Sequence, residues 1–141
     1  GWEHEKITEA RHPWMRRGEI LRLANVSVAE LRILYRHAAA TVCPSLAEGF
    51  DYSGVEAMRC GGLVVASDIP VHREVFADGA AYFDPYSAEE AAQMIGRLLA
   101  DDSRDERETI RRLGGRVAER YTISTILPKW REFFADLRTS A

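Results

Sequence analysis

The residues best suited to chemistry fall in one stretch, Pro44-Ser45-Leu46-Ala47-Glu48-Gly49-Phe50-Asp51-Tyr52-Ser53-Gly54-Val55-Glu56-Ala57-Met58. Two carboxylates, Glu48 and Glu56, stand in it with seven residues between them. The glycines beside them, Gly49 and Gly54, let backbone approach a ligand closely. Backbone amides at a helix start can cradle an anion such as a diphosphate. A carboxylate suits vicinal hydroxyls, because each oxygen accepts hydrogen bonds that its charge strengthens. Together these features fit a ligand that is both polyhydroxylated and phosphorylated. Each residue also has a plainer reading. Ser53-Gly54-Val55-Glu56 is spaced as a capping box, which would occupy Glu56 with its own helix start. Glu48 reads equally as a solvated loop acid, and Asp51 as a turn or capping residue.

Other reactive side chains offer less. His72 and Arg73 sit in Pro70-Val71-His72-Arg73-Glu74-Val75, where His72 reads as a surface residue or one that acts from behind a site. His4, His12 and His37 form no metal-ligand spacing with Cys43 or Cys60. Both cysteines flank strands or helix ends and read as packed thiols. Ser45 lacks the nucleophile-elbow pattern, which argues against serine-hydrolase chemistry.

The elements that must position the loop alternate between short apolar runs and longer helical stretches. Residues 3–17 read as a helix interrupted at Pro13, with Gly1 and Trp2 as the loop leading into it. Ile20, Leu21 and Leu23 predict a first strand over 19–24. Ser27-Val28-Ala29-Glu30 is a capping box for a helix carrying Leu31, Leu34, Tyr35 and Ala38 at helical spacing. A second strand runs over 40–43 and stops at Pro44. After the loop, the Ser53 capping box opens a short helix to Cys60, which Gly61-Gly62 ends. Strands follow over 63–66 and 80–83, with a turn at Ser67-Asp68-Ile69-Pro70 and one helical turn at His72 to Phe76 between them. Ser87-Ala88-Glu89-Glu90 caps a further helix. The mixed charges of 103–120 read as a solvated helix face without a binding site. A last helix over 123–138 carries an apolar stripe of Ile126, Leu127, Trp130, Phe133, Phe134 and Leu137, which packs on its own domain or docks on a partner. Strands alternating with helices predict a parallel, Rossmann-like α/β sheet with flanking helices. Ligands of such sheets bind beyond the carboxyl ends of the strands, which is where the Ser45–Ser53 loop falls.

Composition narrows the function classes. The 141 residues allow one ordinary domain, and 46% hydrophobic with 29% charged residues predict a soluble globular chain. No apolar run approaches the roughly 20 residues of a membrane span, and the N-terminus shows no signal-peptide pattern. Two cysteines are too few for a disulfide framework, so a reduced cytosolic setting is expected. A net charge of -3 leaves no basic footprint for nucleic acid.

The run Pro44-Ser45, Glu48-Gly49-Phe50, Glu56-Ala57-Met58, Cys60-Gly61, Val64-Val65-Ala66-Ser67 and Glu74-Val75 resembles the retaining nucleotide-sugar glycosyltransferases of the GT-B fold (group 1 family). The match is to their C-terminal, donor-binding domain and covers about residues 19–137. The resemblance implies that Glu48 sits beside the donor sugar and holds its hydroxyls. Backbone amides at Gly49, Phe50, Asp51 and Tyr52 would contact sugar and diphosphate, and those at the helix start, including Ser53, Gly54 and Val55, would help hold the diphosphate. Glu56 would bind the ribose hydroxyls. The family usually has glycine, an aliphatic residue and often proline after the phenylalanine, where this chain has Asp51, Tyr52 and Ser53. An extra carboxylate at Asp51 bears on the sugar pocket. The implied reaction is transfer of a sugar, mannose from GDP-mannose being the leaning, to a glycan or lipid acceptor with retained configuration. The donor is a nucleotide-diphosphate sugar. No metal or other cofactor is implied.

The resemblance also exposes departures. A family C-terminal domain begins with a strand and a glycine-arginine…lysine segment that neutralises the diphosphate, and residues 1–18 do not reproduce it. The expectation is therefore a single partial donor-binding domain over 1–141, starting after the second strand of the domain. Residues 121–141 would form a C-terminal helix that docks on an N-terminal GT-B domain absent from this chain. In the strand order 3-2-1-4-5-6 the strands at 19–24 and 40–43 would be third and fourth, two places apart. Three explanations stay open: a fragment of a longer enzyme, a second chain supplying the strands, or direct pairing of 19–24 with 40–43. The expected parent is cytoplasmic, at the inner face of the membrane by peripheral association, and works on bacterial surface polysaccharide or glycolipid; the fragment alone is expected to be inactive. The alternative is a non-catalytic module of the same fold that binds a nucleotide sugar or a protein. A response-regulator receiver is the weaker third reading, since no acidic cluster follows an early strand.

Overall fold

A computed structural model of the protein describes residues 4–139. The reading of Gly1 and Trp2 as a lead-in loop lies outside the described residues. The chain forms two compact units, residues 1–30 and 31–141.

In the first unit, helix α1 spans His4–Arg16 and runs through Pro13 without stopping. Proline removes one amide donor near the helix end, and the next turn still closes, with the Arg17 amide donating to the Pro13 carbonyl at 3.3 Å. The strand expected over 19–24 is not formed: these residues have no regular structure, and Leu21 and Leu23 are exposed. An apolar run becomes a strand only when a neighbour takes its backbone hydrogen bonds, and no strand of the described residues does so for 19–24. The Ser27 capping box is present. The Glu30 amide donates to Ser27 Oγ at 3.3 Å, and the Ser27 amide donates to Glu30 Oε2 at 2.8 Å. It opens helix α2, Val28–His37.

The second unit is built on three parallel strands, β1 (Thr41–Cys43), β2 (Val64–Ser67) and β3 (Ala80–Phe83), in the order β1-β2-β3. Thr41 registers with Val64, and Val64 with Ala80. Helices α3 (Tyr52–Arg59) and α4 (Pro70–Phe76) connect the strands, and α5 (Ala88–Leu99), α6 (Arg104–Glu119) and α7 (Ile123–Thr139) follow. Successive side chains of a strand point to opposite faces. Val64 and Ala66 accordingly join Cys43, Ala57, Met58, Phe76, Val117 and Ala118 on one face. Leu63 and Val65 join Phe83, Leu98 and Ile110 on the other. Both faces are covered, as a parallel sheet requires, and the strand run Leu63-Val64-Val65-Ala66 is fully buried.

The helix ends follow local chemistry. The Glu90 amide donates to Ser87 Oγ at 3.1 Å and opens α5. Gly61 closes α3 in the left-handed region at φ 80°, where a side chain would be strained. Helix α6 keeps a charged outer face and buries Ile110, Gly114, Val117 and Ala118. The stripe on α7 does not pack away: Trp130, Phe133, Phe134 and Leu137 are each about half exposed. Ile126, also of the stripe, is half-buried.

Candidate functional site

The loop 44–51 leaves the carboxyl end of β1, and the Asp68-Ile69 turn leaves the carboxyl end of β2 beside it. Parallel register thus brings two loops to one end of the sheet, the end at which such folds bind ligands. Glu48, predicted to hold sugar hydroxyls, is exposed in the first loop, and its Oε1 accepts from Ser45 Oγ at 2.7 Å. Its second carboxylate oxygen has no hydrogen-bond partner among the described residues. Among the described residues no hydrogen bond engages the Gly49 or Phe50 amides. The Phe50 side chain is half-buried, edge-on to Tyr121 at 4.9 Å and tilted against Tyr52 at 4.8 Å. Phe50 therefore anchors the loop with its ring, while its amide has no hydrogen-bond partner among the described residues.

The helix start differs from the expected capping box. Asp51, not Ser53, is the N-cap of α3, in the left-handed region at φ 62°. Aspartate tolerates this conformation, because its short polar side chain bonds locally. Its Oδ1 accepts from the Ser53 amide at 3.1 Å, the Gly54 amide at 3.4 Å and the Ser53 hydroxyl. Two residues within one turn could each cap this helix, and the one preceding the first helical residue, Tyr52, takes the role. Glu56 is released as a result. It lies exposed on α3, with no capping bond to Ser53. The Gly54 amide expected at the diphosphate makes only its long contact to Asp51, and Val55 is buried at 8% exposure.

The second oxygen of Asp51 reaches a residue the sequence left ambiguous. His72 is fully buried, and its Nε2 lies 3.1 Å from Asp51 Oδ2. Its Nδ1 lies 2.9 Å from the Ser67 carbonyl and 3.1 Å from Ser67 Oγ. The surface reading of His72 is thereby replaced by one in which it ties α4 to the loop and to β2. Burial works against the Asp51 charge, but hydrogen bonds from Ser53, Cys43 and Gly54, with His72 nearby, hold its carboxyl below the usual range. Burial and the Asp51 charge push the Cys43 thiol up to about 12, so it stays protonated. Arg73 is not free for a phosphate: its guanidinium grips Asp68 through two bonds of 2.6 Å and stacks over Tyr82 at 3.8 Å. Among the described residues, no three His, Cys, Asp or Glu side chains gather as a metal site, and no helix is long and apolar enough to cross a membrane.

Against known proteins, residues 17–114 match the family model of glycosyl transferases group 1. The chain is 35% identical over 113 residues to the O-antigen chain mannosyltransferase B of Escherichia coli, covering 80% of this chain and 30% of that protein. It is 49% identical over 63 residues to the O-antigen chain mannosyltransferase RfbU of Salmonella typhimurium, covering 45% of this chain and 18% of that one. The chain thus spans less than a third of the length of these relatives. Among solved structures, the sucrose-phosphate synthase from Thermosynechococcus elongatus superposes with a TM-score of 0.85 at 22% identity, over 100% of this chain and 36% of that one. This last likeness establishes the fold.

Proposed function

The chain belongs to the group 1 glycosyl transferases, and from that premise we propose that it is the donor-binding part of a retaining transferase. It takes a nucleotide-diphosphate sugar, with GDP-mannose the favoured donor, and serves transfer to a glycan or lipid acceptor. The observation that carries this reading is the release of Glu56 by the Asp51 cap, which leaves two exposed carboxylates, Glu48 and Glu56, flanking one helix start. Glu48 receives the sugar hydroxyls, Glu56 the ribose hydroxyls, and the amides at Gly49, Phe50 and Tyr52 the charged oxygens between them. Stabilisation of the leaving diphosphate by fixed amides acts where charge develops. The acceptor hydroxyl replaces the diphosphate on the same face of the sugar. No metal is assigned. An N-terminal GT-B domain completes the cleft, with the apolar stripe of α7 as the surface that docks on it. The mannosyltransferase names of two relatives support the sugar, and their O-antigen assignment supports a surface-polysaccharide acceptor at the inner face of the membrane.

The test is Glu48→Ala in the full-length protein containing this chain, assayed for mannose transfer from GDP-mannose. Loss of a charge-assisted acceptor for two hydroxyls lowers transfer by about a hundredfold. Near-normal turnover sinks the assignment. Binding of GDP-mannose by the wild type without any transfer favours a non-catalytic module of the same fold instead.

A further inference from the structure

The buried ring of His72 faces acceptors on both sides. Asp51 Oδ2, a carboxylate oxygen, lies 3.1 Å from Nε2. The Ser67 carbonyl lies 2.9 Å from Nδ1. The remaining neighbour of Nδ1, Ser67 Oγ at 3.1 Å, spends its own proton on the Ser45 carbonyl at 2.5 Å and so can only accept from the ring. A neutral imidazole has one N–H and one lone pair, and the lone pair would then point at an acceptor. With Asp51 ionised, as the donors around it hold it, only the doubly protonated ring satisfies both sides. The other ionisable groups around it do not change this count. The Cys43 thiol of β1 stays protonated beside Asp51, Tyr82 of β3 donates to the Ala77 carbonyl at 2.6 Å and lies 3.3 Å from the His72 carbonyl, and Arg73 is held by Asp68.

Two routes leave this ring. One runs through Ser67 to the Ser45 carbonyl, and from Ser45 Oγ to Glu48 Oε1 at 2.7 Å. The other runs through Asp51 to the Ser53 and Gly54 amides at the start of α3. The ring is itself fixed, stacked on buried Phe76 at 4.9 Å. We propose that His72, carrying both ring protons, is a positioning residue that sets Glu48 through Nδ1 and Ser67, and the α3 start through Nε2 and Asp51. His72 touches no ligand; it holds both halves of the donor site in register with each other. The ligand half of this inference rests on the donor-binding reading above, and the protonation half stands without it.

The two routes separate by isosteric substitution. The Gln amide nitrogen falls near Nε2 and keeps the bond to Asp51, whereas the Asn amide nitrogen falls near Nδ1 and keeps the bond to Ser67. The experiment uses the full-length protein containing this chain, with GDP and GDP-mannose as calorimetric probes and nitrogen-15 NMR of the His72 ring and the backbone. The wild type shows two His72 ring N–H signals at neutral pH. His72→Gln lowers GDP-mannose affinity about tenfold, the loss of one charge-assisted contact, and GDP affinity less than about threefold. His72→Asn lowers both affinities about tenfold and speeds hydrogen exchange at the Ser53 and Gly54 amides, which His72→Gln leaves protected. A single ring N–H in the wild type overturns the proposal even if neither variant folds. Equal losses for both ligands in both variants overturn it as well, because a merely structural histidine gives that pattern. If the wild type binds neither ligand, the donor reading fails, and the ring protons with the amide exchange still decide the positioning.

Discussion

Asp51 divides one carboxylate between two tasks. Oδ1 caps α3, and Oδ2 meets His72. Because its folded carboxyl is held below its usual range, the sign of the pH dependence follows. A lowered pKa contributes stability that is present above the unfolded value, about 3.9 for aspartate. That stability fades as pH falls toward the folded value. Asp51→Ala is therefore expected to cost more than the about 1 kcal/mol of a lost helix cap at pH 7, because it also leaves the buried His72 ring without its carboxylate partner. The gap to wild type closes as pH falls below about 4. Urea unfolding across pH 3 to 7 reads this directly, and a gap that widens toward low pH contradicts it. At this scale the sequence was legible in composition and ambiguous in assignment. Glu48, Asp51 and Glu56 were visible as candidates. Which of Asp51 and Ser53 would cap the helix was not, because both types cap well and stand two residues apart. The choice depends on Asp51 adopting a left-handed conformation, supported by contacts from Ser53, Gly54 and His72, 21 positions away in the last case.

Among the elements, the packing of α4 against α3 decides where the site loop sits. A Cβ at Gly54 would lie 2.2 Å from Phe76 Cζ and 2.6 Å from Cε1. Phe76 is fully buried and stacked on His72, so its ring has no free direction in which to yield. Gly54→Ala must therefore push α3 and α4 apart, at a cost of about 1–3 kcal/mol for an overpacked contact. Gly115, inside α6, is the control: a Cβ there meets nothing within 4 Å. Gly115→Ala is expected to stabilise by about 0.5–1 kcal/mol through helix propensity. Urea midpoints that shift in the same direction for both variants contradict the close approach. Local patterns read such elements unevenly. The Ser27 and Ser87 caps, the Gly61 stop and the buried Leu63–Ala66 strand all follow from short-range chemistry and appear in the fold. The run at Ile20, Leu21 and Leu23 has strand-like residues but no strand. Apolar content is a local property, whereas a strand needs a neighbour that local sequence does not specify.

For the second unit as a whole, the interior is centred on the sheet and ends before α7. Leu98 is fully buried against Leu63, Val65, Phe83 and Ile110. Trp130, Phe133 and Phe134 instead lie against one another, with Trp130 and Phe134 stacked at 5.6 Å, and each stays about half exposed. Helical periodicity showed which face of α7 is apolar; it carries no information on what covers that face. The difference is measurable in the 141-residue chain. Leu98→Ala removes atoms from a closed interior and is expected to cost about 2–5 kcal/mol. Phe134→Ala removes a larger side chain, yet one whose surface is mostly still in contact with water. Its cost is expected to stay below about 1 kcal/mol, as for substitutions outside the core. Chemical denaturation of the two variants beside wild type orders them, and a Phe134→Ala loss equal to that of Leu98→Ala would place α7 inside the core. If the order holds, the Trp130, Phe133 and Phe134 cluster contributes little to the chain's own folding. Its apolar surface is then available to an interface, as the proposed docking on an N-terminal domain requires.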